Sequence, residues 1–314
     1  MQIIKPGTKI DFISKSRMFA VLSVFFVVIS FALIFSKGFN LGIDFAGGTV
    51  VQVKFQQDVP LEDIRQVLTP AIGADFVLQN FGDADEVLIR IVEHDEIGLQ
   101  ELSDNVRSAL AAGFEGNTPT IQRVEQVGPQ VGDELRQKAF LAMLYAAIGI
   151  LIYIAIRFEM LFGIGAVIAL VHDVIFTMGI YCLIGKEFNI TVMAALLTVA
   201  GYSLNDKIVV FDRIREKIRS GGLEQMSWKA LVNMSINETL SRTVLTSVLT
   251  FIAVLCLYIF GGEVINGFAL IMMLGIVIGT YSSIGVASVF VCYVRTHYKG
   301  GTKKRATRMA PKKA

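Results

Sequence analysis

Five ionisable residues stand in surroundings that make charge costly. His172 and Asp173 lie inside VHDV, Asp206 and Lys207 inside GYSLNDKIVVFDRIRE, and Arg242 inside NETLSRTVLTS. An ionisable group in hydrocarbon is rare, and its default reading is functional, with a partner to be named. A lone carboxylate there takes up a proton, and a nearby guanidinium reverses that preference. An acid that an arginine can approach or leave is therefore a proton switch. Asp206 and Arg242 are the pair this chemistry selects.

Their placement follows from the elements that carry them. Apolar runs at 18–35, 139–156, 161–184, 190–211, 243–260 and 264–294 are each long enough to cross a hydrocarbon core of about 30 Å as a helix. The sixth is longer than needed, which implies tilt or a start outside the lipid. Asp206 comes shortly before the apolar end of the fourth run and Arg242 at the apolar start of the fifth. Antiparallel neighbours place them at similar depth. Thr198, Tyr202 and Asp206 repeat four apart with Asn205 beside them, while Thr239, Arg242, Thr243, Thr246, Ser247 and Thr250 form a stripe at three- and four-residue spacing. A proton path needs two such faces, and so does static interhelical bonding, the better reading for the hydroxyls alone. Lys207 points about 100° away from Asp206, and snorkelling to the interface is its expected fate. Asp173 continues a small-residue stripe with Gly165 and Ala169, so for His172 and Asp173 a buried packing bond and a role in proton passage both stand. Gly275, Gly279 and Ser283 read as a helix-packing face.

Composition agrees with a polytopic membrane protein: 314 residues, 54% hydrophobic and 18% charged, with mean hydropathy +0.60. The first run follows Lys15 and Arg17 but lacks a small-x-small cleavage pattern, so it reads as a retained anchor. Lys and Arg gather before the first run, between the fourth and fifth, and after the sixth. Six spans put these regions on one side, so both termini are expected to be cytoplasmic. The overall charge of +2 hides the segment 38–136, which holds 6 Lys/Arg against 17 Asp/Glu, a net charge of −11. The basic tail needs anionic lipid rather than nucleic acid to explain it. Cys182, Cys256 and Cys292 all fall in apolar runs without metal-ligand spacing, so they read as packing residues, and no metal site is expected.

The resulting division is 1–17 cytoplasmic, 18–37 the first helix, 38–136 an exported domain, 137–294 helices two to six, and 295–314 a basic tail. The exported segment alternates as β-α-β-β-α-β, with Gly82-Asp83-Ala84-Asp85 a turn between its middle strands, which predicts one ferredoxin-like α+β domain. His94 reads as a solvated loop residue. Two motifs flank this domain, LGIDFAGGT and VGPQVGDEL. Gly47, Gly48, Gly128 and Pro129 read first as turn chemistry, with hinges between domain and bundle the functional alternative. Asp133 is the expected cap of the second membrane helix, and Trp228 is placed in an amphipathic connector at the interface.

LGIDFAGGT, VGPQVGDEL, VHDV, GYSLNDKIVVFDRIRE and NETLSRTVLTS, in this order across six spans, resemble the SecF family, within the resistance-nodulation-division superfamily. The resemblance implies a bacterial inner-membrane subunit whose segment 38–136 is periplasmic. It implies SecD and the SecY-E-G channel as partners, unfolded preprotein as substrate, and protons as the coupling ion with no cofactor. It assigns proton transport to Asp206 and Arg242, with a third carboxylate supplied by SecD. Rivals from other classes are a small-molecule exporter of the superfamily, which usually carries twelve spans and two exported domains, and a passive scaffold for the channel. No Ser-His-Asp spacing or phosphate loop supports an enzyme.

Overall fold

A computed structural model describes residues 8–73, 76–81, 83–91 and 98–297; His94, Gly82 and the tail beyond residue 297 lie outside the described residues. The chain enters through α1 (Ser16–Lys37), then builds a domain from β1 (Asn40–Leu41), α2 (Ile43–Ala46), β2 (Gly48–Lys54), α3 (Leu61–Ile72), β3 (Phe76–Phe81), β4 (Asp83–Ile91), α4 (Leu99–Gly113) and β5 (Thr120–Val127). The bundle follows as α5 (Pro129–Arg157), α6 (Met160–Ile184), β6 (Glu187–Phe188), α7 (Ile190–Arg219), α8 (Gly222–Gln225), α9 (Trp228–Phe260) and α10 (Glu263–Ser282). A π turn at Ser283–Ala287 prolongs α10, and the whole helical stretch runs Val264–His297.

In the domain, β2 to β5 form an antiparallel sheet in the order β3-β4-β2-β5. Alternation along β2 sends Val51 and Val53 to one face, where Ile64 and Leu68 of α3 and Val106 and Leu110 of α4 meet them, all without exposure. The opposite face, with Gln52, Gln79 and Leu88, turns toward the bundle across a cleft of about 480 Å³.

Six helices are long and apolar enough to cross a membrane. Their outward surfaces carry bare apolar side chains, among them Val21, Val24 and Phe25 on α1, Phe140 and Ile152 on α5, and Leu249 and Ile252 on α9. A belt of that size suits lipid and would aggregate in water. Helix bounds differ most from the sequence reading at the starts of α5 and α9 and at the end of α7, which runs on to Arg219. α5 begins at Pro129, ten residues before its apolar run, because Gly128 ends β5 and proline favours the first helical position. Asp133 is therefore inside the helix, bonded to Arg136 at 2.7 Å, and does not cap it. The expected connector before the fifth span is the first part of α9, capped by Ser227, and Trp228 packs inward with the Arg295 guanidinium 5.6 Å from its ring.

Small residues let the helices close on one another. Gly275 lies against Val199, Gly279 against Ser203, and Gly165 against Val291. The tightest case is Gly179 of α6, where a β-carbon would overlap the Ser30 side chain and lie 2.6 Å from its Cα. Because backbone blocks it, Gly179→Leu is expected to destabilise the bundle by at least the upper end of about 1–3 kcal/mol and release α1, with Gly179→Ala intermediate. Unfolding midpoints in mixed detergent measure this; equal midpoints for wild type and Gly179→Leu would show that the contact carries little.

Domain and bundle are tied around β1, α2 and β6. β1 pairs in parallel with β6, and Arg90 of β4 reaches Glu187 of β6 at 2.6 Å while donating to Asn40 and Leu41 at 3.0 Å. Asp44 accepts the backbone N–H of Ile190 at 3.0 Å and so caps α7 together with Asn189. Gly47 and Gly48 take φ of +72° and +114°, conformations open to glycine, and a β-carbon on Gly132 of α5 would sit 3.1 Å from the Gly47 nitrogen. Gly128 is extended, with φ of −62°.

Candidate functional site

Two carboxylates, one ammonium and one imidazole are buried in the bundle among the described residues: His172 and Asp173 on α6, and Asp206 and Lys207 on α7. They fall into two clusters on adjacent faces of α7, as the 100° step between neighbouring positions requires.

Lys207 is the first correction. It is fully buried rather than snorkelling, with its ammonium 2.7 Å from Asp173. The helix geometry explains this. Ser203 and Lys207 are four apart on the face that meets α6, so the lysine stem lies along its own helix and its tip reaches Asp173. All three ammonium donors are used, on Asp173, the Ser203 hydroxyl and the Ser203 carbonyl. Asp173 is correspondingly saturated. Its Oδ2 accepts from Lys207, from Ser203 and from Ser282 at 2.7 Å, while Oδ1 lies 2.9 Å from His172 Nδ1. Ser282 belongs to α10 and immediately precedes the π turn, a device frequent at functional sites. Three helices thus converge on one carboxylate. His172 turns its other nitrogen, Nε2, into a buried position without a partner among the described residues, beside the rings of Phe176 and Tyr281.

Asp206 is as hidden, at 2% exposure, and far less well held. Ser247 of α9 donates to its Oδ2 at 3.3 Å, Ser247 and Thr280 of α10 share a 2.7 Å bond, and Tyr202 contacts Ser247 at 3.5 Å. No cation forms an ion pair with Asp206 among the described residues.

Arg242 is the second correction. The sequence places it opposite Asp206, yet it is exposed and forms no ion pair among the described residues. It lines a groove of about 480 Å³ between α7 and α9 with Asn205, Asp212, Glu238 and Thr239. Glu238 is already taken by Arg213 at 2.5 Å and Lys217 at 2.9 Å. Arg242 therefore stands at the mouth of the interface whose interior holds Asp206. Ser247 is the member of the polar stripe that reaches across to other helices; Thr239, Thr246 and Thr250 bond within their own helix, Thr246 donating to the Arg242 and Thr243 carbonyls at 3.0 Å and Thr250 to the Thr246 carbonyl at 2.9 Å. Thr246 faces outward and takes no part in the buried cluster.

Sequence reasoning missed the Asp173–Lys207 pair and its serine ligands. The signal was present, since Ser203 and Lys207 share a face while Asp173 continues the small-residue stripe along which another helix must approach.

Residues 108–297 match the family described as protein export membrane protein SecD/SecF, C-terminal, and residues 32–59 match the SecD/SecF GG motif. The protein translocase subunit SecF of Calditerrivibrio nitroreducens is 54% identical, over 94% of this chain and 97% of the relative. That of Desulfurispirillum indicum is 48% identical over 90% and 91%. Among solved structures, SecDF from Thermus thermophilus, a translocon-associated membrane protein, superposes with TM-score 0.84 at 36% identity, covering 92% of this chain. SecDF in its super-membrane-facing form gives TM-score 0.71 at 37% identity over 97%. The chain spans only 39% and 41% of those two solved chains.

Proposed function

Since the chain belongs to the SecF family of protein translocase subunits, transport components of the Sec pathway, we propose that it pairs with SecD at the SecY-E-G channel and uses the proton gradient to promote export of unfolded preprotein. In this reading both termini are cytoplasmic, 38–136 is periplasmic, and the bacterial inner membrane is the setting. The observation that carries it is Asp206, a carboxylate buried between α7, α9 and α10 with hydroxyls around it and no ion pair among the described residues. Such a group is stable with a proton on it. When the proton leaves, a counter-charge has to arrive, and Arg242 waits at the mouth of the same interface. Its entry would change how α7 and α9 meet, and the caps and β1–β6 pairing at the start of α7 would carry that change to the domain through Gly47, Gly48, Gly128 and Pro129. A proton crossing roughly 100 mV supplies about 2.3 kcal/mol, enough to bias two packings. The two SecDF forms match at near-equal identity but unequal TM-score, which supports more than one arrangement in the family.

The test is preprotein export into inverted vesicles containing this chain and SecD, with the gradient intact or collapsed by an ionophore. Stimulation is expected only with the gradient. Equal stimulation in both conditions would reduce the chain to a scaffold.

A further inference from the structure

The buried charges do not balance. Two carboxylates, Asp173 and Asp206, share the bundle interior with one ammonium, Lys207, and the imidazole of His172. The other groups facing Asp173 are neutral: Ser203 on α7, and Ser282 with Tyr281 nearby on α10. Lys207 spends all three donors on Asp173 and Ser203, and none on Asp206, its sequence neighbour. Asp173 receives four donors.

We propose that Lys207 is the dedicated counter-ion of Asp173, and that this pairing confines the bundle's exchangeable proton to Asp206. The argument is one of charge compensation. A carboxylate paired with an ammonium and saturated with donors is held in its charged form, and a neighbour that the Lys207 ammonium and the Arg242 guanidinium reach only through space, with no ion pair, takes the proton. Lys207 thereby sets both which acid works and how many protons the bundle holds. Without it, Asp173 keeps only its imidazole and serine donors, and a second buried carboxylate needs a proton. His172 adds to the pair, since its Nδ1 lies 2.9 Å from Asp173 Oδ1 while its Nε2 has no hydrogen-bond partner among the described residues and sits beside the Phe176 and Tyr281 rings. This inference rests on Asp206 being the proton-carrying acid proposed above, but its test does not need export.

Infrared spectra of the full chain in lipid bilayers, compared between variants, count protonated carboxyls directly. Wild type is expected to show one buried carboxylic-acid band that Asp206→Asn removes. Lys207→Met is expected to double that signal, and adding Asp173→Asn to Lys207→Met is expected to return it to one. Where Lys207→Met yields no folded protein, Lys207→Gln, which keeps a donor toward Asp173, reads the same count. An unchanged count on losing Lys207 overturns the proposal. So does a wild-type band that survives Asp206→Asn and disappears in Asp173→Asn. If the counts follow expectation while export ignores the gradient, the proposed function fails and the assignment of Lys207 stands.

Discussion

Asp206→Asn is expected to abolish gradient-stimulated export while leaving the bundle folded. The reason lies in what the substitution keeps. Asparagine has nearly the volume of the protonated acid and offers both donor and acceptor to Ser247 and Thr280, so the contacts of the neutral state survive. It cannot be charged, so Arg242 never gains a reason to leave the groove it shares with Asn205 and Glu238. The bias available from one proton across about 100 mV corresponds to a population shift of up to roughly 50-fold. The ratio of export with the gradient to export without it should fall by up to that factor, to about one. Vesicles carrying the variant measure this ratio, and unfolding midpoints close to wild type show that the loss is not a folding defect. Retained stimulation in Asp206→Asn would remove the proton from the mechanism.

The six helices were readable because lipid imposes a strong rule: about twenty apolar residues in a row, with charge kept to the ends. The order of strands and helices in the domain at 38–136 followed from alternation at period two and three to four. What escaped was set by contacts between elements. α5 and α9 run beyond their apolar stretches because Gly128-Pro129 and Ser227 start them early, and hydropathy ignores such caps. Asp206 was found because burial of an acid is legible from its neighbours in sequence. The state of Arg242 was not, since two faces at one depth do not say whether a flexible side chain lies inside the interface or over it. Lys207 was misplaced for a related reason. Snorkelling is the general outcome for a lysine near a helix end, and only the position of Asp173 on a different helix overrides it. The role of Asp44 as a cap for α7 was likewise invisible, since 146 residues separate it from Ile190.

The Asp173–Lys207 pair also predicts a large and strongly non-additive stability effect. Lys207→Met deprives Asp173 of its counter-ion and forces it to take up a proton, and Asp173→Asn leaves a buried ammonium without its partner; each is expected to cost about 3–5 kcal/mol. The double variant Asp173→Asn with Lys207→Met removes both charges at once and leaves Ser203, Ser282 and His172 facing a neutral amide, so its cost should be far below the sum. The coupling energy from this cycle is then about 3 kcal/mol or more, well above what separated sites show. Unfolding in mixed detergent, read for wild type, both single variants and the double, gives all four corners. Additive losses would mean that lysine and aspartate are held independently, by their serine neighbours. A strong coupling means that α6 and α7 are joined by charge, with α10 attached through Ser282. Such a join has a consequence for motion: it holds α6 and α7 together on one face of α7, so a rearrangement driven by Asp206 has to take place on the other face, where α9 carries Ser247 and Arg242.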